Sequence, residues 1–235
     1  MAIYWDKEVT MTGIYIFLLM LILPIIAQIN VTSTFNKYSK VRSSRGLTAD
    51  QVARQILDSN GLYNVRIERV SGKLSDHYDP RDNVVRLSDS TYGNSSVAAI
   101  GVAAHECGHV CQHAENYGPI VLRSKLVPIT NFCSRFWYFI FILGLVFSEL
   151  SIGTTLVYAS IIMFAAVIVF QLVTLPTEFD ASSRALATLE NNNLLEASEV
   201  PQAKKVLTAA ALTYVTGLVV SLLQLLRLLS ASRRR

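Results

Sequence analysis

Long apolar runs separated by short polar segments dominate this chain. Residues 13–31 carry no charge and are roughly long enough to cross a bilayer, with Pro24 as a kink. Tyr4, Trp5 and Tyr15 near one end supply interfacial anchors. The weak positive flank, the length of the run and the lack of a small-residue cleavage site favour a retained span over a signal peptide. Residues 136–174 hold a single charge, Glu149, over a length about twice the hydrocarbon thickness. The polar break at Ser148, Glu149, Ser151 and Gly153 therefore predicts a transmembrane hairpin, returning the chain at Pro176 to the side it left. A fourth run, residues 209–229, is again long enough to span.

The intervening segments are water-compatible. Residues 36–46 form a basic juxtamembrane link without apolar periodicity, which the positive-inside rule assigns to the cytoplasm. Thr48 with Gln51 as a capping box, Val52, Ile56 and Leu57 at helical spacing, and Gly61 as a stop predict a helix. Alternating Val65, Ile67 and Val70 predict one short strand, and Val84, Val85 and Leu87 a second, after the turn signal of Asp79, Pro80, Arg81, Asp82 and Asn83. Asn94, Ser95 and Ser96 offer caps for a helix over residues 97–115, broken by Gly118 and Pro119.

The pattern predicts a mainly α membrane protein: about four transmembrane helices and a small β-sheet. Its segments are an N-terminal span (residues 1–31), a hydrophilic region (32–135), a transmembrane hairpin (136–175), a helical segment (176–208), and a C-terminal span with a basic tail (209–235). Composition agrees, at 51% hydrophobic and 16% charged residues. The net charge of +4 flanks apolar segments and forms no aromatic-interleaved patch, which argues for membrane topology and against nucleic acid. Most Lys and Arg lie between the first and second runs and between the third and fourth, which favours a cytoplasmic site. Arg233, Arg234 and Arg235 oppose that orientation, because four spans put both termini outside. Cys107, Cys111 and Cys133 fit reduced, buried thiols and are assigned no chemistry.

The chemistry sits on the 97–115 helix. His105, Glu106, Cys107, Gly108 and His109 match H-E-x-x-H, in which residues four apart on one helix face hold a single zinc with two imidazoles. Glu106, beside the metal, suits a general base for a zinc-activated water attacking a peptide carbonyl. The apolar approach, residues 97–104, would bury these groups where charges count for more. Two histidines merely satisfied in a core helix would leave three polar residues interrupting that run without a purpose.

A hydrolytic zinc takes a third protein ligand and leaves a fourth position open. His113 lies two further turns along the helix, and Glu115 stands where the metzincin spacing needs His, so both fit poorly. Glu178, just past the returning span, is placed best. Asp180 is the substitute or supporting carboxylate, able to fix the tautomer of a ligating His.

Three separated segments carry a resemblance: Ser75, Asp76, His77, Tyr78, Asp79, Pro80; then Ala103, Ala104, His105, Glu106, Cys107, Gly108, His109; then Leu175, Pro176, Thr177, Glu178, Phe179, Asp180, Ala181, Ser182. Over nearly the whole chain the sequence resembles the YugP-like membrane-bound neutral zinc metallopeptidases and, more distantly, the HtpX-like peptidases. The resemblance implies a gluzincin-like site with one Zn2+ per chain, Glu178 matching the downstream Glu of E-x-x-x-D. Ser182 departs from the final Asp, leaving that supporting carboxylate missing or replaced by Asp180. The resemblance also suggests an edge strand over residues 83–87 able to pair with an extended peptide. His77, Tyr78 and Arg184 are candidates for stabilising a developing oxyanion.

The implied function is hydrolysis of peptides or membrane proteins near the bilayer, with membrane-protein quality control suggested by the family. The expected location is the bacterial plasma membrane with the site facing the cytoplasm. Gln112, His113, Glu115 and Asn116 after the motif favour a site at the membrane surface. The competing class is a catalytically inactive scaffold of a membrane complex, against which stands the presence of Glu106, a base that a scaffold does not need. Four spans are compatible with a homo- or hetero-oligomer.

Overall fold

A computed structural model describes residues 2–232, with side chains described for residues 13–230 and 232. The proposed anchors Tyr4 and Trp5 and the terminal arginines therefore fall outside the described side chains. The chain is mainly helical: α1 (Ala2–Tyr38), α2 (Ala49–Ser59), α3 (Val97–Ala114), α4 (Gly118–Val146), α5 (Ser151–Asn191) and α6 (Val200–Ser232), with three short strands. Four of these helices are long and apolar enough to cross a membrane, over Gly13–Tyr38, Gly118–Val146, Ser151–Asn191 and Val200–Ser230. The chain divides into two compact units.

One unit comprises the chain up to Ala27, Leu122–Thr174 and the segment from Thr213 onward. Val157, Ile161, Phe164, Ile168 and Leu228 form its core, with Trp137 packed on Phe164 at 4.6 Å between ring centroids. Ile25, Phe139, Val146 and Ile162 point outward, as lipid-facing helices require, where only intrahelical bonding satisfies the backbone. The hairpin turns over residues 147–150 as its polar break predicts. Two glycines let its arms meet. A Cβ on Gly144 would stand 2.9 Å from the Val157 amide nitrogen, and one on Gly153 would collide with the Phe147 carbonyl.

The other unit comprises Gln28–Val121 and Leu175–Leu212. Its core joins Val52, Ile56 and Leu57 of α2, Val85 and Leu87 of the sheet, Ile100, Ala103 and Cys107 of α3, and Leu189 of α5. The Gln51 side chain accepts from the Thr48 amide at 3.0 Å and closes the start of α2. Gly61, at φ +72°, ends the helix. α3 begins at Ser96, whose Oγ accepts from the Ala99 amide at 3.3 Å.

The strands are β1 (Arg66–Val70), β2 (His77–Asp79) and β3 (Val84–Ser88), ordered β1-β3-β2. β3 pairs parallel with β1 and antiparallel with β2. This overturns the expected edge strand at 83–87: β3 is central, with Val84, Val85 and Leu87 fully buried, and β1 and β2 are the edges. β2 carries no apolar alternation. It is held by Asp79, which accepts from Arg81 and Arg86.

Three helix ends differ from the sequence reading. α1 runs on through Tyr38, because Phe35 and Tyr38 bury against Ala98 and Val206 and extend the apolar face into the basic link. α3 ends at Ala114 and the chain turns at Asn116, which adopts φ +54°, whereas Gly118 and Pro119 open α4. α5 passes through Pro176 unbroken to Asn191.

Candidate metal centre

α3 and the C-terminal part of α5 cross closely enough for their backbones to touch. A Cβ added at Gly108 would lie 2.6 Å from the Ala181 carbonyl oxygen, so only glycine fits between the helix of the two histidines and the helix of Glu178. The contact places Glu178 opposite the histidine face of α3. His105 and His109 stand one turn apart, ring centroids 4.7 Å and planes at 81°. Glu178 Oε2 lies 3.3 Å from His105 Nε2 and 3.5 Å from His109 Nε2. One donor atom from each of the three residues falls within 4.8 Å of the others.

These distances suit zinc. Bonds of about 2.0–2.1 Å to nitrogen and oxygen in a tetrahedron give ligand–ligand edges of about 3.3 Å. Both carboxylate–imidazole edges are already near that value, and two nitrogens with one oxygen are the donor set of an open zinc site. His109, Glu106 and Glu178 are buried. Burial pushes the His109 imidazole down, but the Glu178 contact and the Glu106 charge outweigh it and leave His109 above its ordinary value.

Each histidine is fixed from behind. Ser182 Oγ lies 3.1 Å from His105 Nδ1, and Gln112 Oε1 lies 3.0 Å from His109 Nδ1. With Nδ1 donating to these oxygens, Nε2 of both rings is free to ligate. Gln112 is fully buried and donates to the Thr177 carbonyl and to Asp180 Oδ2, each at 2.8 Å. Arg184 then donates to the same Asp180 oxygen at 2.6 Å and to Glu115 at 2.7 Å. Asp180 is outside the ligand cluster and bears on His109 only through Gln112. Ser182, at the position where the distant family has Asp, is itself the partner of His105.

Neither Gln112 nor Ser182 was singled out for this role from the sequence. Both stand at legible spacing: Gln112 is three residues after His109, and Ser182 four after Glu178. The oxyanion candidates have the following surroundings. The Tyr78 hydroxyl donates to Asn83 at 3.1 Å, and its ring meets His113 edge-on at 5.5 Å. Arg184 is committed to Asp180 and Glu115. His77 is exposed on β2, with Nδ1 2.8 Å from the Ser75 carbonyl.

A family model described as "Putative neutral zinc metallopeptidase" matches residues 13–233. The chain belongs to this zinc metallopeptidase family. It is also 49% identical over 201 residues to the Bacillus subtilis protein named "Putative membrane protease YugP", covering 86% of this chain and 88% of that one. No solved structure matches. The matched span contains every residue of the zinc-compatible cluster, together with Gln112 and Ser182 behind it.

Proposed function

We propose that this chain is a membrane-bound, gluzincin-type endopeptidase in which His105, His109 and Glu178 hold one zinc and Glu106 is the general base. The observation that carries this is the meeting of three donor atoms from α3 and α5 within 4.8 Å of one another, with Glu178 3.3 and 3.5 Å from the two imidazoles, near a tetrahedral edge. When bound, zinc supplies Lewis-acid chemistry, polarising a carbonyl and making water acidic near neutral pH. Glu106 takes the proton of the attacking water and passes it to the departing amine. Its burial beside His105 keeps competing solvent from that carboxylate. Ser182 and Gln112 hold the two imidazoles in the ligating tautomer.

The substrates are peptides and membrane proteins met near the bilayer, in the quality control of membrane proteins. The extended chain pairs with the outer edge of β2, the strand whose Tyr78 ring packs on His113 of α3. The basic segment after α1 and the lysines at the start of α6 support a site on the cytoplasmic face of a bacterial plasma membrane.

Metal content and cleavage of an unfolded protein substrate, measured on the detergent-purified full chain, test this. Native protein holds one zinc; Glu106→Gln keeps it and loses about 10²-fold or more in rate; Glu178→Ala loses the zinc. Folded native protein without zinc, or Glu106→Gln cleaving at the native rate, would replace the peptidase reading with the scaffold.

A further inference from the structure

A cavity of about 620 Å³ opens between the end of α1 and the start of α6, within the unit that holds the metal centre. Three lysines line it: Lys37 in the last turn of α1, its ammonium 5.4 Å from the ring centroid of Tyr38, which also lines the cavity, and Lys204 and Lys205 early in α6. All three are exposed. Thr34 and Thr208 add hydroxyls and the exposed Leu212 an apolar side, and among the described residues no carboxylate lines the space. The acid nearest in sequence, Glu199, is spent elsewhere: it accepts from Ser43, Ser44 and the Glu196 amide. Burial raises its pKa, but these donors outweigh that and hold it below its ordinary value. A fourth lysine, Lys73, is tied to Asn36 beside Lys37 at 2.7 Å.

Position identifies the ligand further. The spans Gly13–Tyr38 and Val200–Ser230 both reach their polar ends at this cavity. A lysine at such an end normally extends along its own helix to the headgroup layer. Here three share one concavity whose lining also includes the apolar Ala209 and Leu212, the arrangement that a phosphate with attached hydrocarbon would fill. We propose that this cavity binds the phosphate of an anionic phospholipid headgroup, with the acyl chains leaving along Leu212. The proposal is independent of the metal centre and of peptidase activity.

Native mass spectrometry of the full chain in neutral detergent tests it, with dioleoylphosphatidylglycerol, dioleoylphosphatidylcholine or inorganic phosphate as probe. A lysine beside an anionic surface is worth roughly fivefold in binding, so removing two should cost about 30-fold. The expected result is one retained phosphatidylglycerol per chain, little phosphatidylcholine, and no displacement by millimolar phosphate. The Lys204→Gln/Lys205→Gln double variant should weaken retention by about 30-fold. A control of equal charge loss on α4, Lys125→Gln/Arg135→Gln, should leave retention at the native level and shows whether charge alone matters. Equal retention of both lipids, or equal losses in the two double variants, overturns the proposal. Displacement by inorganic phosphate overturns the lipid assignment in favour of a free phosphate anion.

Discussion

Substituting Gly108 by alanine should disable the metal centre while leaving the fold intact. The new Cβ would stand 2.6 Å from the Ala181 carbonyl oxygen, against about 3.4 Å for the onset of ordinary contact, so α3 and α5 must separate by about 0.8 Å. Zinc sites tolerate departures of about 0.2 Å in ligand distance. α5 carries Glu178 and Ser182 together, so one displacement takes away the proposed third ligand and the partner of His105. Disturbing a supporting group alone costs 10–100-fold in affinity, so the combined loss should be about 100-fold or more. Overpacking costs about 1–3 kcal/mol, and alanine in a helix interior returns about 1 kcal/mol relative to glycine. The net stability loss, about 0–2 kcal/mol, is too small to unfold a typical domain. Gly101→Ala is the matched control, because its Cβ would meet Ala203 Cβ at 3.4 Å, an ordinary contact. Zinc dissociation constants by competition with a chromophoric chelator, alongside helicity and melting temperature, provide the assay. Native zinc affinity in Gly108→Ala would refute the reasoning.

Gln112→Ala leaves His109 Nδ1 without its partner, and zinc affinity measured the same way should fall 10–100-fold with helicity unchanged. Ser182→Asp supplies the carboxylate of the distant family at His105, and should retain zinc at least as tightly as the native chain; weaker binding would show that the serine does not occupy that supporting place. Asp79 is held well below the usual carboxylate range, first by its hydrogen bonds from Arg81 and then by Arg86. Its stabilisation is therefore present above the ordinary carboxylate range and is lost only as pH falls through the depressed folded value. Asp79→Asn should melt below native protein by a constant margin from pH 8 to about 5, closing only in stronger acid; a margin that closes between pH 7 and 5 would contradict the assignment.

The spans, the hairpin turn and α2 were legible because each rests on local signals: apolar run length, a polar interruption and a cap. The two histidines were legible for the same reason, since four residues on one helix fix their direction. Glu178 was reachable through its place after a returning span. The sheet order was not, because Val84, Val85 and Leu87 read equally well as one face of an edge strand or as a strand buried on both sides. β2 was missed because ion pairs of Asp79 hold it and no alternation of apolar residues marks it. The partners Gln112 and Ser182 depend on the α3–α5 crossing, which Gly108 permits and which no local pattern announces. α1 outran its apolar stretch because Phe35 and Tyr38 found tertiary partners in Ala98 and Val206.

The most direct test of the central claim is the zinc K-edge X-ray absorption spectrum of the purified full chain carrying one zinc. Two imidazoles and a carboxylate predict a first shell of nitrogen and oxygen only, at about 2.0–2.1 Å, with the multiple scattering of two histidine rings. Cys107 and Cys111 share α3 with the histidines, are buried, and have thiols pushed up by burial, so they should contribute no sulfur. A sulfur shell at about 2.3 Å, or the scattering of three or more imidazoles, would contradict the assignment of His105, His109 and Glu178 as the ligand set.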